Sequence, residues 1–367
     1  MTRRGRWIAG LALAGAILTA ALAARFGPAF SLALALASPT TEGWLASLGA
    51  PVRREEIQVS VGERVLHADV YRPAHHRGAL LLVHGLSRTG PRQPDLARLA
   101  RLVAERGLLV MVPRFEGLAA FRLTGTEVDD IRGALEHLRR LANHVGVAGF
   151  SFGAGPMLLA AAEVPELRVV GSFGGYADLR HVIAFITTGV HHWGGQRLVQ
   201  RQEEYNRWKA LALLVAFVEH RGDRATLGAI ATRKLTDPGG DTVGLEGDLG
   251  PGGRAMLALV LNRREEAVEA RIQALPAGVS AALERLSPRG AVARIRARLL
   301  IAHGAGDTSI PFTESLHLAA AAPSPPRLVI LQSFQHTRPQ PEWTSVAGAL
   351  SDGWGLLRLA DDLLALR

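Results

Sequence analysis

The chain has 367 residues, enough for one large core with an insertion or for two domains. It contains no cysteine, which excludes disulfides, thiolate catalysis and cysteine-ligated metals. The formal charge of +9 comes almost wholly from arginines dispersed among acids, with no like-charged block and no interleaved aromatics, so no nucleic-acid surface is indicated.

Arg3, Arg4 and Arg6 precede an uncharged run from Trp7 to Ala24. A helix of that length reaches about 27 Å, close to the ~30 Å of a bilayer's hydrocarbon. Three readings stay open. The run is a signal anchor with its basic end in the cytoplasm, or a cleaved signal peptide with Ala-x-Ala sites at Ala21–Ala23 or Ala35–Ala37, or a buried helix. The first two predict membrane association through residues 7–24 and a body outside the cytoplasm. The stretch "FGPAFSLALALASPT" then bridges to that body, so residues 1–40 form a segment of their own.

Residues 57–71 alternate apolar and polar around Gly62-Glu63, which predicts a β-hairpin with a two-residue turn. "ALLLVHG" (79–85) reads as a strand buried on both faces. Residues 94–107 place Leu96, Leu99, Leu102 and Val103 on one helical face and stop at Gly107. "LLVMVP" (108–113) is a second buried strand. A helix over 126–143 follows, with Thr126 as its expected N-cap and acids in its first turn. "VGVAGF" is the third buried strand and "LRVVGSFGGYAD" (167–178) holds the fourth.

The alternation then breaks. Residues 181–290 read as several helices without a buried strand, divided by the glycine-rich "DPGGDTVGLEGDLGPGG" (237–253). Strands return at 297–304 and 326–334, each followed by a helix. Strands alternating with helices predict an α/β fold with a doubly wound, mostly parallel sheet. The core then comprises 41–180 and 291–367, and 181–290 is an inserted helical lid. Within the lid, "ALALLVAFV" (210–218) reads as a core face before a ligand pocket.

In open α/β sheets ligand groups gather beyond the carboxyl ends of the strands. After the third buried strand comes Ser151, in "GFSFG", with Gly149 and Gly153 on either side. After the strand beyond the lid comes Asp307, and after the last strand His336. A five-letter G-x-S-x-G arises easily by chance. A strand before it, a helix after it and the order Ser…Asp…His do not. A serine hydroxyl is a weak nucleophile and needs a base. His336 is the candidate base, and Asp307 the carboxylate that orients its ring and stabilises the imidazolium. The oxyanion requires preorganised donors. The main-chain N–H groups of Phe152 and of Leu86, after the His84-Gly85 turn, are the candidates.

Together "LHADVYRP", "ALLLVHG", "GFSFGAG" and "LLIAHGAGDTSIP" resemble the α/β-hydrolase superfamily, most closely serine esterases of the dienelactone-hydrolase and prolyl-oligopeptidase-like groups. The resemblance covers 55–180 and 291–367. It implies a hydrolase fold, a Ser-Asp-His triad and an acyl-enzyme formed from a small-molecule carboxylic ester, without a cofactor. A peptidase or thioesterase would use the same triad, and a catalytically idle, membrane-tethered binding protein would keep the fold alone.

Each candidate has a plainer reading. Ser151 could be a tight-turn serine, Asp307 a helix cap and His336 a loop histidine. Asp178, just past the fourth buried strand, is the alternative acid. His84 is expected to shape the oxyanion turn rather than move a proton, and His303 to be structural. The pairs His75-His76 and His191-His192 are adjacent residues facing different ways, so no metal site is expected. Asp237, Asp241, Glu246 and Asp248 lack calcium-loop spacing and read as a solvated hinge.

Overall fold

The computed structural model describes the backbone of residues 3–37, 49–332, 334–335, 338–339 and 346–366, and the side chains of 19–37, 49–332 and 347–366. Strand β1 (Val52–Val61) turns at Gly62, which has φ +56°, into β2 (Arg64–Pro73). The two pair antiparallel with Val61 opposite Arg64. Beyond them lie β3 (Ala79–Val83), β4 (Leu109–Pro113), β5 (Val145–Phe150), β6 (Val169–Phe173), β9 (Arg298–Gly304) and β10 (Arg327–Leu331). The labels β7 and β8 belong to a hairpin in the insertion, Val190–Trp193 and Gln196–Val199.

The eight strands of the main sheet run in the order β1-β2-β4-β3-β5-β6-β9-β10. Only the β1–β2 and β2–β4 pairings are antiparallel; the rest are parallel. This is the doubly wound sheet expected. Strand β3 is buried along its whole length because helices cover both faces. Its side chains alternate accordingly. Leu81 and Val83 join one apolar cluster, Leu80 and Leu82 the other.

The first cluster includes α3 (Glu127–Arg139), α4 (Ala154–Ala161) and the insertion. The second includes α1 (Arg3–Ala37), α2 (Pro94–Ala104) and α12 (Val346–Ala365). Helix α2 starts with Pro94, and the Gln93 side chain accepts from the Leu96 N–H at 2.7 Å. Helix α3 starts one residue after Thr126, but Thr126 is not its side-chain cap. Its backbone is already helical, and the buried Glu127 carboxylate instead accepts from the Thr124 and Gly125 N–H groups.

The stretch expected to bridge the N-terminus to the body is helical over its described residues, 26–37. Helix α1 continues through Pro28 to Ala37, and Ala29, Leu32, Ala33 and Ala35 are buried. Arg98 donates to the Ala35 carbonyl, and Arg25 pairs with Asp361 of α12. The window Thr19–Ala37 is long and apolar enough to cross a membrane by length and composition. The expected span 7–24 falls partly on residues whose side chains lie outside those described.

Between β6 and β9 the chain forms α5 (Leu179–Thr188), the β7–β8 hairpin, α6 (Glu204–Leu214), α7 (Arg221–Thr236), α8 (Pro251–Val260), α9 (Glu265–Gln273) and α10 (Ala277–Arg285). The hairpin is a departure from the all-helical expectation. It turns on Gly194 and Gly195, both at positive φ, and beyond the buried Val190 and His191 its strands are exposed or half-buried, so no buried apolar run announces it. The stretch 210–215 is buried in the first cluster, as a core face should be. The glycine-rich link is more ordered than a solvated hinge. Asp237 and Asp241 accept from the Gly239 and Val243 N–H groups, and Asp223 reaches from α7 to cap α8 through Gly250 and Gly253.

Candidate active site

Strand β5 is extended up to Phe150, and the chain then reverses within one residue. Ser151 takes φ +52°, and a single 3-10 turn leads directly into α4. A non-glycine residue there costs about 1–2 kcal/mol. The neighbouring glycines impose it. A Cβ on Gly149 would lie 2.8 Å from the Ala154 Cα, and one on Gly153 would run into the His84 carbonyl oxygen. A Cβ on Gly85 would lie 2.9 Å from the Ser151 Cβ. Val83 pairs with Gly149, so the ends of β3 and β5 are neighbours and the His84-Gly85 turn is brought against Ser151. The residues carrying the two oxyanion candidates, Leu86 and Phe152, directly follow Gly85 and Ser151.

His84 is buried and bonded on both ring nitrogens. Its Nε2 accepts from the Phe115 N–H at 3.0 Å, which leaves Nδ1 to donate to the Gly85 carbonyl at 2.7 Å. Burial lowers its pKa to about 4. A neutral, doubly bonded ring shapes the turn and has no free nitrogen for proton transfer.

Asp307 lies three residues beyond β9, on the same carboxyl edge of the sheet, and is fully buried. Its Oδ1 accepts from the Ser309 and Ile310 N–H groups at 2.7 and 3.0 Å. Its Oδ2 faces His303 Nε2 at 3.2 Å. The same nitrogen is 3.0 Å from the Ile310 carbonyl, and His303 Nδ1 is 2.7 Å from Ser315 Oγ. Ser315 therefore donates and the Nε2–H is shared between Asp307 and Ile310. His303 was readable only as a structural histidine. Its partnership with Asp307, four residues on, depends on the turn that closes between them.

Helix α6 reinforces that turn from the insertion. Asn206 donates to the Thr308 carbonyl at 2.7 Å, and Lys209 Nζ is 3.0 Å from Ser309 Oγ. Burial lowers the Lys209 pKa, while the Asp307 charge works the other way. The sequence carries no signal for these contacts, because they cross about a hundred residues of insertion.

The alternative acid, Asp178, N-caps α5. Its carboxylate accepts from the Arg180 N–H at 2.8 Å and lies 3.4 Å from Ser287 Oγ. His336 lies outside the described residues. The structure thus brings Ser151, Gly85 and Asp307 to one sheet edge, with β6 between the strands that carry Ser151 and Asp307.

No protein-family model and no curated protein sequence matches the chain. Solved structures do resemble it. The α/β hydrolase GrgF of Penicillium sp. sh18 superposes with a TM-score of 0.51 at 15% identity, over 83% of this chain and 98% of that one. The chain has the α/β-hydrolase fold. Two further solved structures are similar at lower scores. The esterase domain of a Rhodothermus marinus protein gives a TM-score of 0.46 at 16% identity, over 83% of this chain and 96% of that one. A dienelactone hydrolase of Anabaena variabilis gives 0.44 at 16% identity, with the same coverages. Ser151 occupies the turn between β5 and α4 of that fold.

Proposed function

We propose that the chain is a serine hydrolase that cleaves a carboxylic ester through an acyl-enzyme. The observation that carries this reading is the backbone of Ser151. A serine held at φ +52° between a buried strand and a helix is strained, and such strain persists at sites where it serves a function. In the proposed cycle the Ser151 Oγ attacks the ester carbonyl while His336 takes its proton. The C–O bond to the leaving alcohol then breaks, and His336 protonates that alcohol. Water, activated by the same histidine, hydrolyses the acyl-serine and regenerates Ser151. Asp307 holds the imidazole. The N–H groups of Leu86 and Phe152 donate to the oxyanion, and losing one such donor typically costs about 3 kcal/mol of barrier stabilisation.

The insertion, residues 181–290, acts as the lid that selects the acyl group. The N-terminal helix tethers the enzyme. Because Ala29–Ala37 is packed on the body, the part free to enter a bilayer is the part before it, including 7–24. With the basic Arg3, Arg4 and Arg6 kept on the cytoplasmic side, this reading has the catalytic body outside the cytoplasm.

Labelling by a fluorophosphonate and turnover of short p-nitrophenyl esters test the proposal. The wild-type chain is expected to label and turn over, and Ser151→Ala to lose both by at least about 10³-fold with the fold intact. An unlabelled wild type would favour the idle binding protein. Turnover of amides or thioesters in preference to esters would move the substrate class and leave the triad in place.

A further inference from the structure

Outside the Ser151 site, α5, the β7–β8 hairpin and α11 (Thr313–Ala321) converge on three side chains. His181 stands near the start of α5. Glu314 and His317 stand three residues apart on α11, which places them on one helical face. One donor atom from each of the three lies within 4.8 Å of the others. We propose that His181, Glu314 and His317 bind a divalent transition-metal ion, zinc by the nature of the donors.

Two imidazoles and one carboxylate are a set that zinc favours when it keeps a fourth position for solvent. The His181 Nδ1 and Glu314 Oε1 are already 3.0 Å apart. Donors about 2.1 Å from a tetrahedral ion lie about 3.4 Å from one another, so rotation of the partly exposed His181 and His317 rings closes the set. Their ring centroids are 5.0 Å apart, and the edge of Trp193 packs against His317 from the hairpin side.

The surroundings orient the donors as the neighbours of a metal site do. Glu314 is buried, and its Oε2 accepts from the Ala177 and Asp178 N–H groups at 2.9 and 2.8 Å. That fixes Oε1 towards the histidines. The main chain of His192 offers an acceptor to the His317 ring. With both imidazoles neutral, the charges facing the group are Glu314 and Asp178 against Arg289, a net negative site. An ion pair between His181 and Glu314 accounts for those two residues alone. It leaves the third donor, His317, unused. A bound ion would staple α5, the first helix after β6, to the helix that follows the Asp307 turn.

The test uses the detergent-solubilised full chain, stripped with a chelator and titrated with zinc and with cobalt(II). One equivalent of zinc should bind at micromolar affinity or tighter and raise the thermal unfolding midpoint. Cobalt should give the visible bands of a tetrahedral site. His181→Ala and His317→Ala should each weaken zinc binding at least tenfold, while His75→Ala, at an exposed turn away from the site, should leave it unchanged. Cooperative unfolding reports that each variant is folded; should an alanine variant fail it, H181Q and H317Q are read in the same way. A stripped wild-type chain that binds no zinc, or binding that survives both histidine substitutions, would overturn the proposal.

Discussion

Around Ser151 the backbone is held by the absence of side chains, and around Asp307 by an abundance of donors. Gly85, Gly149 and Gly153 leave gaps into which neighbouring main chain fits, and the strained φ of Ser151 follows from that fit. At Asp307 no residue needs a positive φ. The turn is fixed by two main-chain N–H groups, by His303 and Ser315 behind it, and by Asn206 and Lys209 on the insertion. A turn fixed by steric fit tolerates no added atom. A turn fixed by hydrogen bonds can lose one and persist, because each contributes only about 1 kcal/mol net.

The largest effect should come from Gly153→Ala. The new methyl is fixed to the helix-entry backbone and meets the His84 carbonyl oxygen, a main-chain atom of a buried residue, so neither can step aside. A loss of more than about 4 kcal/mol, or failure to fold, is expected in urea unfolding. A variant as stable as the wild type would end the claim that this turn is held by shape.

A second experiment uses acid. His84, whose ring ties the Gly85 carbonyl to the Phe115 N–H, has a pKa near 6.5 unfolded and about 4 folded. Between those values the unfolded chain binds a proton that the folded chain refuses. Stability should therefore fall as the pH drops from about 6.5 to about 4, by about 3 kcal/mol for this group, and be independent of His84 above that window. Replacing His84 with Gln should remove one proton from the slope of unfolding free energy against pH.

The smallest effect should be that of Ser315→Ala. It removes the donor to His303 Nδ1 and leaves a buried acceptor unpaired, at about 1–2 kcal/mol. Thermal melting should show that modest loss while fluorophosphonate labelling of Ser151 persists. A collapse of labelling would mean that the Asp307 turn is as brittle as the serine turn.

The same contrast decides what could be read from the sequence. Glycines mark a steric constraint in place, so "GFSFG" and "HGL" pointed to the turns beyond β5 and β3. The β1–β2 hairpin was legible from its alternation and the other six strands of the main sheet from continuous apolar runs. The hairpin at 190–199 was missed because its strands are short and carry no continuous buried run, although Gly194-Gly195 is a two-residue turn signal. Polar networks were not legible. Nothing near Asp307 in the sequence names Asn206 or Lys209, and nothing near Glu314 names His181. The one local trace was Glu314 and His317 spaced three apart on a helix, while attention to histidine pairs fell on adjacent residues.

The docking of α1 bears on the two Ala-x-Ala motifs in different ways. The Ala21–Ala23 site lies on an exposed stretch of the helix, whereas Ala35–Ala37 lies where the helix is packed. Proteolysis at the first site would leave Ala29, Leu32, Ala33 and Ala35 in the core. Proteolysis at the second would strip all four from the apolar layer over α2 and α12, where a single lost leucine side chain costs about 2–5 kcal/mol. A cut ahead of Ala29 would therefore leave the docked part of α1 in place, and a cut beyond it would cost stability.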